Sequence, residues 1–122
     1  MPSLAYLRLY ATPDGESHFE DAEMPLNDSM AVSILSATIP VTGMMLRGSP
    51  AGYDIAWHPA PRRQFIIRLT GVIEATASDG ETRSMGPGSI VLVEDLTGKG
   101  HLTKVVGDEE AMSIYVHAPE QT

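Results

Sequence analysis

The sequence predicts an all-β sandwich or barrel, and three observations carry that prediction. Ten candidate strands, all short, are separated by Gly, Pro, Asp and Ser at fairly even spacing. No window repeats apolar residues at intervals of three and four over a dozen positions, so no amphipathic helix is expected. Ser78-Asp79-Gly80 sets an Asp-Gly pair between two strands, where glycine accepts a positive φ without steric cost and favours a tight hairpin.

The strands are expected, in order, at Leu4 to Tyr10, Ala31 to Ile39, Gly43 to Arg47, Tyr53 to His58, Gln64 to Leu69, Val72 to Ala77, Thr82 to Met85, Ser89 to Val93, His101 to Val106 and Ala111 to His117. Residues 11–30, ATPDGESHFEDAEMPLNDSM, read as an acidic arm holding at most a short extended piece. Gly86-Pro87-Gly88 punctuates one junction, and Gly107-Asp108-Glu109-Glu110 links the last two strands. In the final strand Met112, Ile114 and Val116 alternate with Ser113, Tyr115 and His117, the pattern of a strand with one face turned inward. The reading is one domain over 1–122, with an N-terminal arm (1–30), a barrel (31–117) and a frayed tail (118–122).

Composition narrows the function classes. The 122 residues include no cysteine, which excludes disulfides, thiolate nucleophiles and cysteine-ligated metal. A formal charge of −8 repels nucleic acid at long range, so none is expected as a partner. The apolar runs are far shorter than the ~20 residues that span a bilayer, and MPSLAYLRLY lacks the basic region and sustained apolar core of a secretion signal. No membrane partner and a cytoplasmic location are therefore expected. Charge is unevenly spread: residues 11–28 carry six acids and no Lys or Arg, whereas Arg47, Arg62, Arg63 and Arg68 gather in the middle of the chain. A small anion could find a local positive site in an otherwise acidic protein.

The stretch WHPAPRRQFIIRLTG at 57–71 holds a histidine, a glutamine and a strand closed by glycine; GPGSIVLVEDLTGKGH, ending at His101, repeats the theme. Tyr53 to Val116 resembles the cupin superfamily, small double-stranded β-helix barrels of jelly-roll type. The first cupin motif is His-x-His, three or four residues, Glu, six residues, Gly. Anchored on Gly71, the acid position falls on Gln64 and the histidine positions on His58 and Ala60. The second motif is Gly, five residues, Pro-x-Gly, a strand, then His in a tight turn; Gly80, Gly86-Pro87-Gly88 and His101 fill it, with Gly in place of the motif's Pro. GESHFED, WHPAPRRQF and EDLTGKGH look like small uncharacterised bacterial cupin-domain proteins. The resemblance implies a barrel whose interior binds a small molecule, and a homodimer formed through the sheets, with Ala31 to Ile39 supplying apolar surface.

Strand parity refines the site. Gln64, Ile66 and Arg68 share one face and Phe65, Ile67 and Leu69 the other; His58 and Ala60 would share the inward face, and Thr103 and Val105 follow His101. His58, Gln64 and His101 could therefore converge on a divalent transition metal such as iron, manganese, nickel or zinc, bound more weakly than where the amide is a carboxylate. The alternative is a metal-free polar cavity. His18 could stand in for the missing histidine if the acidic arm crosses the barrel mouth, or else cap the surface; His117 is expected to face outward. Arg68, within FIIRL, is costly unless it meets an anion. That anion is either an internal partner, Glu74, Glu94 or Asp95, or the carboxylate or phosphate of a ligand that Arg68 anchors. Glu94 or Asp95 could act as general base, or cap a turn. Trp57 and Tyr53 are expected to pack the barrel or to wall a ligand.

Two functional classes result. One is an enzyme, a metal-assisted isomerase, lyase or oxygenase acting on an organic acid, with His58, Gln64 and His101 on the ion, Arg68 on the acid group and Glu94 moving the proton. Metal-free acid–base catalysis by His58 or His101 is a variant. The other is a non-catalytic module that senses or carries a metabolite.

Overall fold

The computed structural model describes residues 2–120 and, among them, is built from strands and turns with no helix. The strands are β1 (Ser3–Ala11), β2 (Ser17–Pro25), β3 (Asp28–Met30), β4 (Ser33–Leu35), β5 (Gly43–Ser49), β6 (Asp54–His58), β7 (Gln64–Thr70), β8 (Val72–Ala77), β9 (Thr82–Met85), β10 (Ile90–Glu94), β11 (His101–Val106) and β12 (Ala111–His117). Six form one sheet in the order β2-β1-β10-β7-β12-β5, and four form a second in the order β6-β11-β8-β9. All pairs in these sheets are antiparallel except β1 with β10. With no helix among the described residues, none is long and apolar enough to cross a membrane.

The core lies between the two sheets. Alternation along each strand supplies it: Leu9 from β1, Phe19 from β2, Val91 and Val93 from β10, Ile73, Ala75 and Ala77 from β8, and Val105 from β11 are all buried. On β7 the expected parity holds. Gln64, Ile66 and Arg68 face the interior, whereas Phe65 and Ile67 lie on the outer face of the larger sheet beside Leu4, Tyr6 and Val116.

The N-terminal arm is corrected. Residues 3–25 form a long hairpin within the larger sheet, with β1 paired to β2 on one side and to β10 on the other. Asp, Glu and His in β2 conceal it from a composition-based reading. Ser17 and Phe19 are buried, while Glu20, Asp21 and Glu23 lie at more open positions of an edge strand, where charge discourages further pairing. The strand expected at Ala31 to Ile39 shrinks to β4, which pairs only with β3 in a two-stranded ribbon. Its apolar residues find no sheet to join: Val32 is fully exposed and Ile34 half-exposed. In the tail, Ala118 is buried and its N–H donates to the Arg63 carbonyl; residues 121–122 of the expected frayed end lie outside the described residues.

Candidate functional site

A cavity of about 90 Å³ opens between the sheets, walled mainly by apolar side chains, with polar groups at two ends. On the scale of roughly 10–15 Å³ per water, it admits several waters or one small organic molecule.

The first end is made by the last residue of β6 and the first of β11. His58 and His101 are paired across these strands, and their rings lie 4.7 Å apart at 52°. Turn chemistry fixes the approach. Gly100 has φ +72° and packs so closely against the His58 carbonyl that a Cβ would overlap it; Gly98, at φ +81°, packs likewise against Gly15. Each imidazole is held by Nδ1. His58 Nδ1 lies 2.8 Å from the Ala56 carbonyl oxygen, which only accepts, so Nδ1 carries the proton and Nε2 of the neutral ring keeps its lone pair. His101 Nδ1 lies 2.5 Å from Oδ2 of Asp95, a carboxylate with no solvent exposure. The same logic leaves Nε2 of His101 as the free nitrogen. Gln64, also buried, lines this cavity, and Ala60 places a methyl group in its wall.

The second end is cationic. Ser113 on β12 is the register partner of Arg47 on β5 and of Arg68 on β7, so the three stand side by side across neighbouring strands. Arg68 is 3% exposed; its Nη1 donates to Ser113 Oγ, and its Nε has no partner. Burial lowers the Arg68 pKa, Arg47 adds to the effect, and Tyr115 opposes it. Arg47 is exposed and sits over the Tyr115 ring, 5.4 Å from its centroid. Tyr53, 43% exposed, also lines the cavity.

Several expected site residues belong elsewhere. The internal partners proposed for Arg68 are all committed: Glu74 to Lys104 at 3.5 Å, Asp95 to His101, and Glu94 to Arg8 and Arg63 at 2.5 and 2.6 Å. Glu94 follows inward-facing Val93 and so points to the opposite face, which removes it as a base on a ligand in the cavity. Burial pushes its pKa up, but hydrogen bonds and charge from Arg63 and Arg8 outweigh that and hold it below the ordinary 4.5. His18 fails as a substitute ligand for the same reason of parity: inward-facing Phe19 is its neighbour, and its ring nitrogens reach Thr12 at 3.1 Å and Asp79 at 3.0 Å. Trp57 lies outside the cavity, half-exposed beside Ser78 and Lys99. Its neighbour His58 faces inward, so alternation turns it outward, and a register shift lets Ile55 face inward as well. Two steps on β11, His101 to Thr103, oppose three on β6, His58 to Ile55; both ends face inward and Trp57 is turned away. His117 shares the parity of Ser113 and Tyr115 rather than the outward face, but it sits beyond the cavity with Nδ1 3.3 Å from Arg62.

As a metal centre the donor set is sparse. Among the described residues no three His, Cys, Asp or Glu side chains gather where they could hold an ion. Two anchored imidazoles and the Gln64 amide remain. Anchoring of Nδ1 by a carbonyl or carboxylate is how metal-binding histidines are usually oriented, so these three fit a weak site rather than a tight one.

No protein-family model and no curated protein matches the chain. Among solved structures, the cupin domain of Cnp3 from Schizosaccharomyces pombe is similar over 97% of this chain and 84% of that one, with 19% identity and a TM-score of 0.55. The conserved protein SPY1581 of unknown function from Streptococcus pyogenes is 21% identical over 79% of this chain and 96% of its own, at a TM-score of 0.47. NMB1881 from Neisseria meningitidis is 12% identical over 68% and 84%, at 0.46. The Cnp3 likeness gives this chain a cupin-type fold, in keeping with the all-β, double-stranded β-helix reading of its two motifs.

Proposed function

We propose that this cupin-type barrel binds a small organic acid in its central cavity and moves a proton on it. The carrying observation is the pair of imidazoles at one end, each tied down through Nδ1. His101, oriented by buried Asp95, is the base, and its Nε2 accepts the proton. Asp95 is a positioning residue: it fixes the tautomer and stabilises the imidazolium that forms. His58 presents a second Nε2 beside it, able to return a proton or to hold an oxygen of the ligand. A divalent transition ion, if bound, would be held by His58, His101 and Gln64, and would polarise a ligand oxygen as a Lewis acid.

The test is hydrogen exchange at carbon. The protein is incubated in D₂O with a panel of small oxo and hydroxy acids whose oxygen lies at successive distances from the carboxylate, and deuterium uptake is followed by NMR. Uptake should fall by about a hundredfold or more in His101→Gln, the range that removal of a general base produces. Asp95→Asn should reduce it less. Metal analysis of protein purified without chelators accompanies the assay, and stoichiometric iron, manganese, nickel or zinc lost in His58→Ala assigns the ion. Saturable binding without exchange across the panel favours the second reading, a non-catalytic sensor or carrier, which is supported by the methyl of Ala60 and the amide of Gln64 at cavity positions.

Assembly is proposed as a homodimer in the cytoplasm. The outer face of the larger sheet carries a groove of about 220 Å³ lined only by apolar residues, and Met44 and Leu46 lie exposed on the neighbouring edge strand. Light scattering reads the mass directly.

A further inference from the structure

The chain has twice as many acids as bases, 16 against eight. Most of its cations use that excess: Arg8, Arg63, Arg83, Lys99 and Lys104 each form an ion pair with Asp or Glu. Among the described residues Arg47, Arg62 and Arg68 form none, and two of these three face the same cavity. They flank one serine across adjacent strands. A buried guanidinium with an orphaned Nε, repelled by a second guanidinium, is an expensive arrangement in an acidic protein. It becomes favourable when an anion occupies the cavity.

Geometry selects the anion. The free Nε leaves one edge of a planar fork, and a carboxylate or a phosphate presents two oxygens that match such an edge. A phosphate has further oxygens that need donors on other sides, as a helix N-terminus or a nest of backbone N–H groups would provide; here no helix is present among the described residues, and the cavity wall beyond this cationic end is mainly apolar. Length is selected too. Gln64 and Arg68 lie four residues apart on one face of β7, roughly 13 Å between Cα atoms at ~3.3 Å per residue. The imidazole end and the guanidinium end are thus separated along the barrel by apolar surface from Ile66, Ile73, Val91 and Val105.

Resting on the reading of the barrel as a ligand site, we infer that its ligand is a small monocarboxylic acid with a hydrocarbon body. Its carboxylate enters past Arg47 and seats on Arg68, which Ser113 holds in place, and its oxygenated far end meets His58 and His101. Arg47 is the outer specificity residue: it offers positive charge at the mouth and, by its repulsion of Arg68, disfavours the empty cavity.

Calorimetric titration with butyrate, butyramide and inorganic phosphate tests this in the intact protein. Butyrate should bind saturably, and butyramide, of the same shape without the charge, at least tenfold more weakly. Phosphate should not compete. Arg68→Gln should weaken butyrate by about thirtyfold or more, the loss typical when one partner of a buried charge pair is removed. Arg47→Gln should weaken it less. Equal binding of acid and amide, competition by phosphate, or no saturable butyrate binding overturns the inference; the wild-type comparison needs no variant to fold. The two proposals fail separately. Butyrate bound at wild-type strength by His101→Gln upholds the carboxylate site whatever the exchange assay gives, and exchange on a neutral substrate with no preference for acids overturns the carboxylate site alone.

Discussion

Two arginine clusters in this molecule follow opposite rules. On the outer face of the larger sheet, Arg8 and Arg63 grip Glu94 from two sides, and every charge has its partner. On the inner face of that sheet, Arg68 is more deeply buried and has a serine hydroxyl where an acid would be expected. The outer cluster does what stability asks. The inner one does not, although Glu94 and Asp95 lie on the next strand or just beyond it and the chain has acids to spare. The fold thus pairs two partly exposed cations with an acid and leaves a buried one without any, which is the contrast that the proposed carboxylate site would account for.

The contrast can be broken most sharply at Glu94. Glu94→Ala leaves two guanidiniums without their shared acceptor, and chemical denaturation should show a loss of about 2 to 3 kcal/mol, the worth of hydrogen bonds to charged groups. A smaller effect is expected from acid. The folded pKa of Glu94 lies below its ordinary value of 4.5, so its contribution is complete above that value and drains away as pH falls through the lower folded one. The slope of stability against pH in that window should flatten in Glu94→Gln. The smallest change, and the one that sharpens the comparison most, is Arg68→Met. Replacing an uncompensated buried charge by an apolar side chain of similar length should leave stability within about 1 kcal/mol of the wild type, or raise it, while abolishing butyrate binding. If Arg68→Met costs as much as Glu94→Ala, the two clusters are alike and Arg68 is structural.

The residues of the cavity differ in how legible they were. His58, Gln64 and His101 could be found from their spacing to the glycines of the two cupin-like motifs, whereas the meeting of the two histidines rests on the long-range pairing of β6 with β11. Arg68 could be placed inward from Gln64 by counting twos. Trp57 could have been turned outward from its neighbour His58, whereas Tyr53 and Ile55 could not be placed by counting, because the register shift between His101 and Thr103 resets the count within β6. β2 was hidden because its acids mark an exposed edge, and composition alone cannot tell an edge strand from an arm. Ser113, Tyr115 and Arg47 sit on strands located correctly, but the Ser113 and Tyr115 face of β12, expected to turn outward with His117, lies inward beside Arg68 while Val116 lies outside.

The sequence by itself determined the all-β class, most strand positions and the face each β7 side chain takes. Those properties are local, set by the period of two and by turns only a few residues long. Tertiary structure alone decided who partners whom. Arg8 and Glu94 are 86 residues apart in sequence, and Arg68 and Ser113 are 45 apart. Alternation assigns a side chain to a face, but the register between distant strands assigns its neighbour. That register gave Glu94 to the outer arginines, Asp95 to His101, and no acid to Arg68.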